Sequence, residues 1–170
     1  GISTAGLRYT DKAPTTLAFV QLDEKGDRSF TFVRKPGADM LLTAEDVDFG
    51  LIDGAKIFHF GGVSITGEPS RTATFEAARY AKEKGLVVSY DPNLRPLLWG
   101  SLEEAREVLL QGFAFADIVK VSEEEVAFLI GETDMAAGAQ KLHALGPRLV
   151  FVTLGPAGCF YSAGGHAGYM

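Results

Sequence analysis

A single cysteine, Cys159, is all the thiol chemistry this chain carries, so no disulfide can form within it. Its apolar setting, Gly158-Cys159-Phe160, favours a small hydrophobe over a nucleophile. Long apolar runs are missing too. None approaches the ~20 residues that span a bilayer, and the N-terminus has no basic-then-apolar export signal, so a cytosolic compartment and no membrane partner are expected. Low-complexity tracts and repeats of fixed period are also absent. So is a basic stripe: the formal net charge is −6, with Lys and Arg scattered, which argues against nucleic acid as a partner. A small anionic substrate stays compatible, because a few converging cations and helix N-termini suffice locally. What is present is ordinary globular material. With 46% hydrophobic and 22% charged residues over 170 positions, the chain can build a sizeable core in one packed domain.

Two regions differ in pattern. Thr16-Leu17-Ala18-Phe19-Val20 and Ser29 to Arg34 are β-branched and aromatic, and polar Asp23-Glu24-Lys25-Gly26-Asp27 lies between them, which predicts a β-hairpin. From residue 43 the pattern alternates apolar strands with helices, the signature of βα units on a parallel sheet. Strands are expected at Lys56–Phe60, Leu86–Tyr90, Asp117–Val121 and Leu149–Thr153. Helices are expected over Glu68–Lys84, Ser101 to about Gln111, Ser122 to near Gly131, and about Met135–Leu145. Ser101-x-x-Glu104 and Ser122-x-x-Glu125 both read as capping boxes. The fold class is therefore α/β, divided into a β-hairpin region with its connections (1–42) and an α/β core (43–170).

Parallel sheets of this kind hold ligands at the C-terminal edges of their strands, so the four strand ends are where chemistry is sought. Asp91-Pro92-Asn93-Leu94-Arg95 puts an acid, an amide and a guanidinium at one end, and Arg95 could grip phosphate as a fork. A plain turn with a surface charge explains the same residues. Thr153-Leu154-Gly155-Pro156-Ala157-Gly158 offers a hydroxyl and close backbone approach, yet it is neither a Walker loop nor a dinucleotide fingerprint. At Ser122-x-x-Glu125 a helix N-terminus can attract phosphate while the acid organises hydrated Mg²⁺; the cap alone accounts for it as well. Gly61-Gly62-Val63-Ser64 leaves room for a small molecule or for tight packing. His59, inside an apolar strand, reads as a satisfied core histidine, and His143 and His166 lack metal-ligand spacing.

The order of these segments resembles the ribokinase/pfkB-type carbohydrate kinases, and fructokinases most. Carrying the likeness are Phe32-Val33-Arg34-Lys35-Pro36-Gly37-Ala38-Asp39-Met40-Leu41, Phe58-His59-Phe60-Gly61, Asp91 to Arg95 with Leu98-Trp99, Lys120 to Glu125, and Thr153-x-Gly155-x-x-Gly158. Five motifs in order, spanning nearly the whole chain, make the likeness specific. It implies a ribokinase-like fold with a small β lid, lacking its N- and C-terminal parts here. It also implies MgATP-dependent phosphorylation of a sugar hydroxyl, with fructose as acceptor; 2-keto-3-deoxygluconate kinase and ribokinase are the alternatives. By the same resemblance Phe19, Phe32, Arg34, Val63 and Arg95 match substrate-side positions. Asn93, Arg95, Ser122, Thr153, Gly155 and Gly158 match the nucleotide side, although many relatives carry asparagine at Ser122. Glu125 matches the acid that holds Mg²⁺ through water.

In that family the proton acceptor is an aspartate in a Gly-Ala-Gly-Asp stretch, which this sequence does not contain. The chain therefore reads as an internal fragment with negligible activity alone, and none of its residues is assigned as base. A non-catalytic, kinase-like scaffold is the reading from another class, and a nicotinamide-dependent oxidoreductase lacks its glycine fingerprint. A homodimer through the lid is compatible with the resemblance.

Overall fold

The computed structural model describes every residue except Lys25 and Asp27, and only the backbone of Arg28. Its two sheets follow the two sequence patterns. The hairpin pairs β1 (Leu17–Leu22) with β2 (Arg28–Val33) in antiparallel register. Of the predicted turn, Gly26 takes the positive φ expected of it (84°), while Lys25 and Asp27 lie outside the described residues.

The second sheet has six strands in sequence order: β3 (Ile57–Gly61), β4 (Val87–Asp91), β5 (Ile118–Ser122), β6 (Leu149–Thr153), β7 (Cys159–Ala163) and β8 (His166–Tyr169). The first four run parallel, as the alternation of helix and strand requires. β7 and β8 add an antiparallel meander that the sequence reading did not anticipate. Two glycines at its turn, Gly164 and Gly165, adopt the positive φ that a tight reversal needs.

Among the described residues five α-helices accompany the sheet: α1 (Phe49–Asp53), α2 (Ser70–Glu83), α3 (Leu102–Gly112), α4 (Glu123–Ile130) and α5 (Met135–Ala144). α2 buries Ala73, Thr74, Ala77, Ala78 and Ala81, a stripe at helical spacing whose small side chains allow close packing. α4 carries the full capping box: the Ser122 hydroxyl accepts from the Glu125 amide and the Glu125 carboxylate accepts from the Ser122 amide. The box at Ser101 is only half made. Ser101 accepts from the Glu104 amide, but the Glu104 carboxylate leaves the cap to pair with Arg71 at 2.9 Å, because a full guanidinium charge outcompetes a neutral amide.

Strand side chains alternate between the two sheet faces, and one set is buried. Phe60, Val88, Tyr90, Val119, Val121, Val150, Val152 and Phe160 form the packed side. At its centre Tyr90 lies against Phe60 (4.5 Å between rings) and meets Phe113 edge-on. Its hydroxyl donates to the Leu109 carbonyl, and burial, with Glu125 and Asp91 nearby, pushes its pKa well above the ordinary value, so it stays neutral. Gly112 makes this possible, since a Cβ there would come within 2.6 Å of the Tyr90 ring. The opposite face presents Val87, Ser89, Ile118, Lys120, Leu149 and Phe151, all partly exposed, and Ile57 at 58% exposure.

Candidate functional site

The parallel register brings the ends of β3 to β6 to one edge: Gly61 lies beside Asp91, and Ser122 beside Thr153. Each corner is then joined to the next by a specific contact. Gly62 runs so close to the following corner that a Cβ would overlap the Pro92 carbonyl oxygen and press on Leu109. This is why glycine is required after β3. The second and third corners are tied by Glu125, 7% exposed, whose Oε1 accepts from the Leu94 amide (2.6 Å) and whose Oε2 accepts from the Ser122 amide (2.8 Å). The Thr153 hydroxyl completes the series by donating to the Val121 carbonyl at 3.3 Å. Beyond it Gly155 and Gly158 take φ of 55° and 99° in an exposed turn, conformations that side chains disfavour.

Asn93 is the one described non-glycine residue with positive φ (43°), a conformation asparagine tolerates best, and it turns the chain from β4 toward Arg95. Arg95 is half-buried. Its Nη1 donates to the Leu94 carbonyl at 3.2 Å, and among the described residues no carboxylate pairs with it. Its guanidinium carbon instead lies 5.0 Å from the centre of the Phe30 ring on the lid. Lys120, on the sheet face shared with Asp91 and Ser122, extends to Asp91 Oδ2 at 3.3 Å. Asp91 Oδ1 is buried with no hydrogen-bond partner.

A cavity of 320 Å³ opens at this edge, lined by Asp39, His59, Gly61, Gly62, Val63, Ser64, Asp91 and Asn93. Val63 and Ser64, and Asp91 and Asn93, belong to strand-end segments singled out in the sequence; Asp39 and His59 were not expected here. Alternation could have found His59, which occupies the same sheet face as Asp91 and Lys120. His59 is not a core residue as expected: it is exposed on the open face, with Nδ1 3.1 Å from the Ser89 hydroxyl. A larger groove of 530 Å³, lined by Gln140, His143, Arg148 and His166 among others, lies toward the N-terminal end of β6 and receives nothing from the four corners.

The hairpin separates two residues expected on the substrate side. Phe19 and Phe32 were both expected to pack on one substrate, but Phe19 is paired with Thr31 and Phe32 with Ala18, so their side chains leave opposite faces of the hairpin. Phe32, Phe30 and Arg34 share the inward face, whereas Phe19 is 55% exposed on the outer one. Arg34 is buried by its contacts. Its Nε and Nη2 bind the Asp39 carboxylate, Nη1 donates to the Thr66 hydroxyl at 2.7 Å, and Nη2 donates to the Val63 carbonyl at 3.0 Å. This side chain pins the end of the hairpin to the turn that lines the cavity. Burial pushes the Asp39 carboxyl up, but hydrogen bonds from Thr16 and Arg34 and the Arg34 charge outweigh it and hold the carboxyl below its ordinary value.

For a metal the fit is narrow. Both Glu125 oxygens accept from backbone amides, and no cluster of three or more His, Cys, Asp or Glu that could hold an ion occurs among the described residues. Glu125 could therefore organise Mg²⁺ only through water. Polyphosphate fits better, with Arg95 and the glycine turn at the same C-terminal edge of the sheet.

Comparison with known proteins bears on the family and the fold. The family model described as pfkB family carbohydrate kinase matches residues 1–170. Fructokinase-1 of Zea mays is 47% identical over 167 residues, covering 96% of this chain and 51% of that protein. A crystal structure of fructokinase with bound ATP from Xylella fastidiosa superimposes with TM-score 0.83 at 37% identity, covering 94% of this chain and 50% of that one. One of the Vibrio cholerae O395 fructokinase in its fructose, ADP and calcium ion bound form does so with TM-score 0.86 at 34% identity, covering 98% and 53%. The chain spans about half the length of the curated relatives it matches.

Proposed function

From the premise that this chain belongs to the pfkB family of carbohydrate kinases and has their ribokinase-like α/β fold, we propose that it forms the lid and the sugar- and phosphate-binding edge of an ATP-dependent fructokinase. The observation that carries this reading is the linkage of the four strand ends, above all the Glu125 carboxylate joining the Arg95 corner to the α4 N-terminus. Residues 1–42 act as lid and 43–170 as core. Fructose enters the cavity beside Val63 and Asn93, beneath Phe32. The triphosphate lies along Ser122, Thr153, Gly155 and Gly158, and Arg95 grips its oxygens.

Phosphoryl transfer needs alignment and charge neutralisation more than covalent help from the protein. Arg95 supplies positive charge where phosphate charge accumulates, while Lys120 is paired with Asp91 at 3.3 Å and the first turn of α4 carries Glu123, Glu124 and Glu125; Asn93 fixes the direction of the corner. Mg²⁺ would neutralise phosphate oxygens, held here only through water on Glu125. Arg34 keeps the Val63 turn in place under the lid. No residue of this chain is assigned the proton-accepting role. Cys159, half-buried and without a second cysteine to pair with, suits a reducing compartment, and we place the reaction in the cytosol; among the described residues no helix is long and apolar enough to cross a membrane.

The outer lid face exposes Leu17, Phe19 and Val33 at 52%, 55% and 54%, a contiguous apolar set that we assign to a second lid in a homodimer. Phe19→Ser should then shift a sedimenting dimer to monomer.

The test of the enzymatic reading is a coupled ADP-release assay on the whole protein with MgATP and fructose, ribose or 2-keto-3-deoxygluconate. Turnover of fructose with a loss of about 100-fold or more in Arg95→Ala is expected. Turnover of the keto-deoxy acid alone would replace the acceptor, and sugar binding without turnover of any would favour the non-catalytic scaffold.

A further inference from the structure

We propose that Phe30 is a positioning residue: its ring holds the Arg95 guanidinium by one face and thereby couples the lid to the phosphate-binding corner. The inference rests on the phosphate role given to Arg95 above.

Three contacts form one line through the site. Phe32 and Phe30 are two residues apart on β2, point the same way, and lie nearly parallel, 6.0 Å between ring centres and 11° between planes. The Arg95 guanidinium carbon sits 5.0 Å from the Phe30 centre. Arg95 follows Leu94, whose amide is bound to Glu125. A side chain on the sugar face of the lid is thus linked through one ring to a cation of the phosphate corner.

The chemistry of the contact favours holding over competition. A guanidinium is attracted to a ring through its flat face, while its five N–H donors point outward in its plane. A face-on approach over the ring leaves the donor edge free, and a phosphate can take that edge in a two-pronged hydrogen bond with the ring in place. Leu94 occupies one donor. With no carboxylate among the described residues to neutralise it, the group would otherwise sample many rotamers; Phe30 limits that freedom before the anion arrives. Phe30 belongs to the lid, so displacement of the hairpin releases the guanidinium. A sugar that settles Phe32 should favour phosphate binding, and phosphate should favour the closed lid by the same factor.

The experiment uses NMR of the arginine Nε–Hε groups in the 170-residue chain. Wild type, Phe30→Leu and Phe30→Tyr are compared, and Arg95→Lys assigns the signal. In wild type and Phe30→Tyr the Arg95 signal should carry an upfield ring-current shift, lost in Phe30→Leu; backbone signals of β4 and α4 verify that the core is intact. An unchanged Arg95 signal in Phe30→Leu overturns the proposal. Inorganic tripolyphosphate is then titrated. Binding should weaken about two- to five-fold in Phe30→Leu and recover in Phe30→Tyr. Equal binding by Phe30→Leu and wild type removes the coupling while leaving the kinase reading intact. Failure of wild type to bind tripolyphosphate while the ring-current shift persists defeats the phosphate role of Arg95, and the coupling with it.

Discussion

The two faces of the six-stranded sheet are built from the same strands yet do different work. On β5, Val119 and Val121 are fully buried beneath helices, while Ile118, Lys120 and Ser122, which alternate with them, are only partly covered. β4 and β6 repeat this alternation. The packed face is uniformly apolar and close-fitting, down to the missing side chain at Gly112. The other mixes apolar residues with Ser89, Asp91, Lys120, Ser122 and Thr153, and its polar groups collect toward the C-terminal edge. Parallel sheets are usually covered on both faces. Here one face secures the fold and the other, at its edge, presents the groups suited to a charged ligand.

Glu125 stands where the two meet, and removing it should have the largest effect. Glu125→Ala leaves the Leu94 and Ser122 amides without their acceptor in a buried position, a loss of about 2–4 kcal/mol. Glu125→Gln keeps one acceptor oxygen and should lose less. Denaturant unfolding measures the stability, and tripolyphosphate binding reports whether the Arg95 corner has moved. If Glu125→Ala unfolds like wild type, the tie between the corners carries no weight.

Neighbouring residues on β5 test the faces directly. Val119→Ala opens a hole in the packed side and should cost about 2 kcal/mol, whereas Ile118→Ala, although it removes more atoms, should cost less than about 1 kcal/mol. The ratio is the informative quantity. Equal losses would mean that the Ile118 face is as well packed in solution as its opposite.

Much of this division was legible in the sequence, for a physical reason. Strand–helix alternation requires a parallel sheet, parallel sheets place ligands at strand ends, and the four strand ends were identifiable from Gly61, Asp91, Ser122 and Thr153. What escaped was pairing that depends on distance in space. Short alternating runs such as Cys159–Ala163 and His166–Tyr169 look like loop until a neighbouring strand accepts them. Phe19 and Phe32 seemed equivalent as lid aromatics because hairpin register, not composition, decides which face each takes. The Glu104 carboxylate was read as a cap because Arg71, 33 residues earlier, could not be seen beside it.

The smallest expected effect concerns how the lid is fastened. Arg34 reaches Asp39, Thr66 and the Val63 carbonyl together, and Thr16 also bonds to Asp39, so this carboxylate is the charged end of the lid anchor. Its folded pKa lies below the ordinary carboxylate value, because Thr16 and Arg34 favour the charged form more than burial opposes it. A depressed pKa means that the contribution is fully present above the unfolded value, near pH 4, and is lost as pH falls through the lower folded value. The anchor should therefore be constant from neutral pH to about 4 and weaken only below. Asp39 is 44% exposed at its side chain, so water screens the pair and the loss should be confined to the lid. Hydrogen exchange of the Leu17–Leu22 and Ser29–Val33 amides, corrected for the intrinsic pH dependence of exchange, should accelerate below pH 4 while that of β4 to β6 does not. Asp39→Asn should show faster lid exchange at neutral pH and lack the acid step. An acid step of equal size in Asp39→Asn would assign the fastening of the lid to some other group.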